Sequence, residues 1–252
     1  MIAGSHKDAS TEVVELVKTS SPPSFGQLPG SNYDRAVGGM LGTAPLICGG
    51  GPGGNSNCIL FQNSQWMDLP KFMNDARYNA AGVQINSTTF WILGGLNFQQ
   101  GNPYLRSTEF IIQDQTKAVP GPDLPGVSFG QNGMCAVMLS EKEIFVIGGT
   151  QDARRVSIFD PQNGFTLSSG TSLPSPGRYH HSCSKMTDGD RNVIVVAGGE
   201  YGDPLDSVLI YDPNHEEWIS GKTNPQPQNN FFNQNSLTKI NQNAQQQQKF
   251  DI

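Results

Sequence analysis

Short apolar runs that stop at a pair of glycines recur along this chain, with polar stretches between them. The clearest instance begins at residue 193. The run 193–197 (VIVVA) ends at Gly198-Gly199; a second β-forming stretch, 207–211, carries Val208, Ile210 and Tyr211. Asp212-Pro213-Asn214 then supplies a turn, and a third strand begins near Trp218. Paired glycines end a strand readily because, lacking Cβ, they reach positive φ and let another backbone come close. The same order recurs upstream. Residues 144–147 run into Gly148-Gly149, then 156–159, the turn Asp160-Pro161-Gln162, and Phe165 in the tryptophan's place. Residues 90–93 run into Gly94-Gly95, then 108–112; residues 46–48 run into Gly49-Gly50, then 58–61 and Trp66. The first glycines of the pairs lie 45, 54 and 50 residues apart, a period that signals a repeat architecture.

An apolar strand, Gly-Gly, a second strand with an aromatic near its end, a turn and then Trp resembles the kelch repeat. The copies ending at Phe165 and Trp218 match well and the copy ending at Trp66 acceptably. The second copy keeps Gly94-Gly95 but has Ile112 where an aromatic is usual and nothing aromatic at the Trp position. The resemblance covers most of residues 35–227. It implies an all-β fold, a kelch-type β-propeller of four-stranded antiparallel blades, incomplete or open because about four and a half blades are counted. It also implies a protein or peptide partner docked on one loop face. Some kelch-like propellers are sugar oxidases or sialic-acid isomerases, so a sugar-modifying enzyme is the alternative, as is a non-functional fragment of a longer kelch protein. The residues themselves offer no convincing catalytic set, so no catalysis and no cofactor are expected.

Four units follow, 35–74, 76–127, 129–176 and 177–227, with inner strands expected at 36–41, 80–85, 134–139 and 181–186. The pairs Leu69-Pro70, Leu124-Pro125 and Leu173-Pro174 are expected to end the outer strands, where proline loses no ladder bond. Residues 10–16 mirror 107–112, so 10–34 read as the outer strands of a partial blade, after a disordered 1–9. Residues 228–252 hold seven Gln and six Asn and read as a disordered polar tail. The alternative there is a closing strand from 231–232 and 237–240 against 13–16.

Composition agrees with short strands joined by many turns: 29 Gly, 17 Pro and only 15% charged residues. The net charge of −6 is spread out with no basic stripe, which argues against nucleic acid or an anionic membrane as partner. No apolar run approaches the ~20 residues of a transmembrane helix. The opening MIAGSHKDAS lacks the apolar core of a signal peptide, which taken literally means a cytoplasmic chain. Two features point instead to secretion. Cys48 ends one strand and Cys58 begins the next, so a hairpin can set them side by side as a disulfide; four buried free thiols are the alternative. Asn86-Ser87-Thr88 is an N-glycosylation signal at an expected turn, or a chance triplet in an Asn-rich chain.

In a four-stranded meander the loops between second and third strands lie at the same end as the connections to the next blade. Those loops are 51–57, 96–106, 150–155 and 200–206. Arg35, Arg77 and Arg178 each precede an inner strand, and Tyr104, Arg106, Arg154, Tyr201 and Asp203 lie on the loops. Arg and Tyr are the side chains that most often supply interface hot spots, which makes these eight the candidate binding residues. The competing role for the three repeated arginines is bonding a neighbouring blade's carbonyls. Catalytic constellations are scarce. His180-His181 with Cys183 is the one His/Cys cluster and lacks further ligands nearby in sequence, so no metal site is assigned. Asp188-Gly189-Asp190 has no downstream Glu to complete a calcium loop and reads as a hairpin turn. No phosphate-cradling glycine motif and no nucleophile elbow is present.

Overall fold

In the computed structural model, the described residues are 2–5, 8–12, 28–29, 33–99, 101–126, 130–167 and 172–221. They are all-β. Strands β1 (Ile2–Ser5) and β2 (Asp8–Glu12) pair antiparallel, so part of the stretch expected to lack structure is a hairpin. Four meanders follow. The first contains β3 (Val37–Leu41), β4 (Ala44–Cys48), β5 (Cys58–Gln62) and β6 (Gln65–Leu69). The second contains β7 (Ala81–Asn86), β8 (Thr89–Leu93), β9 (Thr108–Ile112) and β10 (Val119–Pro120). The third contains β11 (Cys135–Ser140), β12 (Glu143–Ile147), β13 (Val156–Asp160) and β14 (Gly164–Leu167). In the fourth, β15 (Ser182–Asp188) and β16 (Arg191–Ala197) precede β19 (Val208–Asp212) and β20 (Glu217–Ser220). The tiny hairpin β17 (Glu200–Tyr201) and β18 (Asp203–Pro204) stands in the loop between β16 and β19. Each meander is an antiparallel four-stranded sheet, and the four open sheets fit an incomplete propeller. No helix among the described residues is long and apolar enough to cross a membrane.

The strand alternation explains how the blades pack. On β8, Phe90 and Ile92 face Leu46 and Leu60 of the first blade, while Trp91 and Leu93 face the third with Ile144, Val146 and Phe159. A strand covered on both faces is apolar on both, and all five β8 residues are buried, Thr89 the one polar member. Phe145 and Ile147 of β12 in turn meet Ile194, Val196, Leu209 and Tyr211 of the fourth blade. The far face of that blade differs. Val195, Ala197, Val208 and Ile210 there stay partly exposed, and so do Gly198 and Gly199, whereas the glycine pairs of the other three blades are buried.

Two disulfides staple this architecture. Cys48 and Cys58 are direct cross-strand partners on β4 and β5, with Cα atoms 4.0 Å apart. They occupy a non-hydrogen-bonded pair, since the neighbouring Gly49 N–H donates to Asn57 O at 2.8 Å. Cys135 and Cys183, 48 residues apart, join the inner strands of the third and fourth blades, so no cysteine is free.

The Leu-Pro pairs do not all fall where they were expected. Only Leu69-Pro70 sits at the end of an outer strand. Leu124 and Leu173 lie beyond β10 and β14, where their N–H groups donate to the carbonyls of Arg106 and Arg154 and their side chains are buried. In the first blade this role belongs to Met73, whose N–H donates to Ser56 O. The second blade, lacking the aromatic that anchors the fourth strand elsewhere, pairs only two residues of β10 with β9. Of the outer strands expected over 10–34, residues 10–12 belong to β2, and residues 13–27 and 30–32, like the tail 228–252, lie outside the described residues.

Candidate functional site

The glycine pairs build one end of the molecule. The second glycine of the first three pairs donates its N–H to the next blade: Gly50 to Arg77 O at 2.8 Å, Gly95 to Gln131 O at 2.8 Å, Gly149 to Arg178 O at 3.1 Å. The first glycine's carbonyl is capped by a side chain of its own blade. Arg77 Nη1 reaches Gly94 O at 2.7 Å, Gln131 Nε2 reaches Gly148 O at 2.9 Å, and Arg178 Nη1 reaches Gly198 O at 2.8 Å. Arg77, Gln131 and Arg178 are therefore equivalent, and their side chains point inward. Arg77 is fully buried and pairs with Glu109 at 2.6 Å; Arg178 is buried and bonds Ser207 O at 3.0 Å. Neither of these two candidate binding residues reaches the surface. Arg35 is not their counterpart, because it stands two residues further on, in the place of Asn79.

At that further position the backbone is left-handed in every blade: φ is 55° at Arg35, 56° at Asn79, 66° at Gly133 and 55° at His180. This turns each carbonyl toward the next blade. Asn79 N–H donates to Arg35 O at 3.0 Å, Gly133 N–H to Asn79 O at 3.1 Å, and His180 N–H to Gly133 O at 2.7 Å. The result is a main-chain belt of hydrogen bonds running across all four blades.

Side chains from the belt line a cleft of about 410 Å³, with Glu200 at its edge and His181 in its wall. Asn79 Nδ2 lies 2.9 Å from His180 Nε2, and His180 Nδ1 lies 2.8 Å from Glu200 Oε1. With the amide donating, Nε2 accepts, so Nδ1 carries the ring hydrogen and donates it in a hydrogen bond to Glu200 Oε1. Arg35 is exposed, 3.9 Å from Asp34, and its guanidinium lies over the Tyr78 ring at 6.0 Å. Tyr78 packs against Phe98 at 5.5 Å, and Phe98 is 57% exposed. His181 is the buried member. Neither ring nitrogen meets a partner in hydrogen-bond geometry, and burial, aided by the neighbouring Arg178 and His180, lowers its pKa to about 4. The backbone of Ile147 pulls weakly the other way.

The remaining candidates are distributed over the same end. Tyr201 and Asp203 flank Gly202 at the tip of the β17–β18 hairpin and are exposed. Tyr104 is half-buried, bridged through its backbone to Leu96, and Arg106 is exposed. Arg154 is exposed but its Nε is committed to Leu173 O at 2.8 Å. Reading the sequence missed Asn79, His180 and Glu200 as cleft residues. For Asn79 and His180 the signal was the aligned position two residues past Arg77, Gln131 and Arg178, where Asn and Gly betray a left-handed backbone; Glu200, directly after Gly198-Gly199, carried no such mark. Among the described residues no three His, Cys, Asp or Glu side chains converge on a point that would hold a metal ion. No protein-family model and no curated protein matches this chain.

Proposed function

We propose that the chain is a kelch-type binding module that takes a protein or peptide on the loop end, with no chemistry of its own. The observation that carries this reading is a cation–aromatic row that starts at the cleft: Arg35, which lines it, lies over the buried Tyr78 ring, Tyr78 packs against Phe98, and Phe98 stays 57% exposed. Arginine and aromatic groups give the most binding energy per residue at interfaces, and here Arg35 stands on the main-chain belt while the Tyr78 backbone is bonded to Leu96. Tyr201, 54% exposed on its hairpin, adds a second aromatic from the fourth blade.

The test is site-specific photo-crosslinking. A photoreactive residue is placed at Phe98 and at Tyr201, and as controls at Thr43 and Asn163, which are exposed on turns at the opposite end of their blades. The same protein partner captured from Phe98 and Tyr201, and not from the controls, is the expected result. Capture only from the control positions, or none from any, overturns the reading.

A further inference from the structure

We infer that Asn86 is an N-glycan acceptor, on a domain that matures in an oxidising, glycosylating compartment. Asn86-Ser87-Thr88 is the single Asn-x-Ser/Thr triplet without proline in the 252 residues. It occupies the β7–β8 hairpin, where all three residues are exposed. The turn also fixes the chemistry of the side chain. Thr88 N–H donates to Asn86 Oδ1 at 2.8 Å and Thr88 Oγ1 donates to it at 3.0 Å. Because a backbone N–H can only donate, the atom it meets is the amide oxygen, which identifies the other amide atom as Nδ2. Among the described residues Nδ2 has no hydrogen-bond partner, so the nucleophile of the glycosylation step is open to solvent.

The second line of support is independent of the turn. All four cysteines are paired, one pair within the first blade and one between the third and fourth. Disulfides of this structural kind form and persist where chains are exported, which is the setting in which asparagine is glycosylated. In the step itself, Nδ2 attacks the anomeric carbon of a lipid-diphosphate-linked oligosaccharide. The N–C bond forms, the C–O bond to the diphosphate breaks, the diphosphate leaves with the lipid, and Nδ2 loses one proton. The antiparallel register puts this hairpin at the opposite end of its blade from the β8–β9 loop, so the sugar leaves the cleft uncovered.

The test uses the full chain, secreted behind a cleavable signal peptide from a eukaryotic cell that glycosylates. The expected product carries one glycan. Enzymatic release of that glycan leaves an aspartate in place of Asn86, read directly in the tryptic peptide by mass spectrometry. Asn86→Gln and Thr88→Ala abolish the modification, and Thr88→Ser retains it. Alkylation of the denatured, unreduced protein finds no free thiol. A secreted wild-type protein whose Asn86 peptide is unmodified overturns the assignment, whatever the variants do. Four alkylated cysteines would overturn the compartment.

Discussion

His181 gives the sharpest quantitative expectation. Its imidazole is buried and unpaired, with its pKa lowered to about 4, whereas in the unfolded chain it titrates near the ordinary 6.5. The unfolded state therefore takes up a proton that the folded state refuses. The stability this confers is fully present above about pH 6.5 and is lost as pH falls toward 4, below which the two states take up protons alike. The loss from this one group is about 2 kcal/mol by pH 5 and about 3 kcal/mol by pH 4. His181→Met isolates it, because Met134 fills the corresponding place in the third blade. At pH 7 the variant should be as stable as the wild type or slightly more so, since no hydrogen bond is lost. Urea unfolding followed by fluorescence of Trp66, Trp91 and Trp218 at several pH values measures both proteins. Curves that diverge by about 3 kcal/mol between pH 7 and 4 are expected. Curves that fall in parallel would refute the reasoning, because His181 would then be solvated or bonded in the native state.

Three further outcomes follow from the packing. Arg77→Gln should cost about 3–5 kcal/mol by leaving Glu109 without its buried partner, whereas Arg178→Gln, which faces no acid and copies Gln131, should cost about 1 kcal/mol. Equal losses in denaturant titrations would show that Glu109 does not depend on Arg77. Removing the Cys135–Cys183 bridge, which closes 48 residues, should cost about 4 kcal/mol, and removing Cys48–Cys58, which closes 10, about 3 kcal/mol. Thermal melts of the two double-alanine variants rank them. Gly148 and Gly198 share the left-handed conformation, at φ 65° and 66°, so alanine at either incurs about 1–2 kcal/mol. At Gly148 the added carbon also runs into the Arg178 carbonyl, while at Gly198 the nearest atom is 3.8 Å away, so Gly148→Ala should melt well below Gly198→Ala.

The repeat was legible because Gly-Gly is a steric requirement. In the first three blades a Cβ on the first glycine would run into a carbonyl of the next blade, the same carbonyl that accepts from the second glycine's N–H, and a Cβ on the second would crowd its own blade, so the glycines recur where a blade ends against its successor. The first three strands of each of the four blades accordingly lie within two residues of where they were expected. Other positions are set by main-chain atoms and leave a weaker mark. Met73, Leu124 and Leu173 share a donated N–H, and the proline beside two of them is incidental. Arg35 looks like Arg77 because both precede an inner strand, yet a shift of two residues separates a surface guanidinium from a buried one. The Cys135–Cys183 pair was beyond reach for another reason: it links different blades, and only the lateral packing of β11 against β15 brings the sulfurs together.

The belt also bears on how the cleft can change. Its hydrogen bonds use only N–H and C=O, so the belt itself asks nothing of the side chains at positions 35, 79 and 180 beyond tolerance of positive φ. Arginine, asparagine, glycine and histidine occupy what is geometrically one place four times over, and only at Gly133 would a side chain run into its neighbour, the His180 ring. The other three act as sockets in which charge, amide and imidazole can be traded without rebuilding the scaffold. β-Branched residues are shut out by the backbone they would have to adopt.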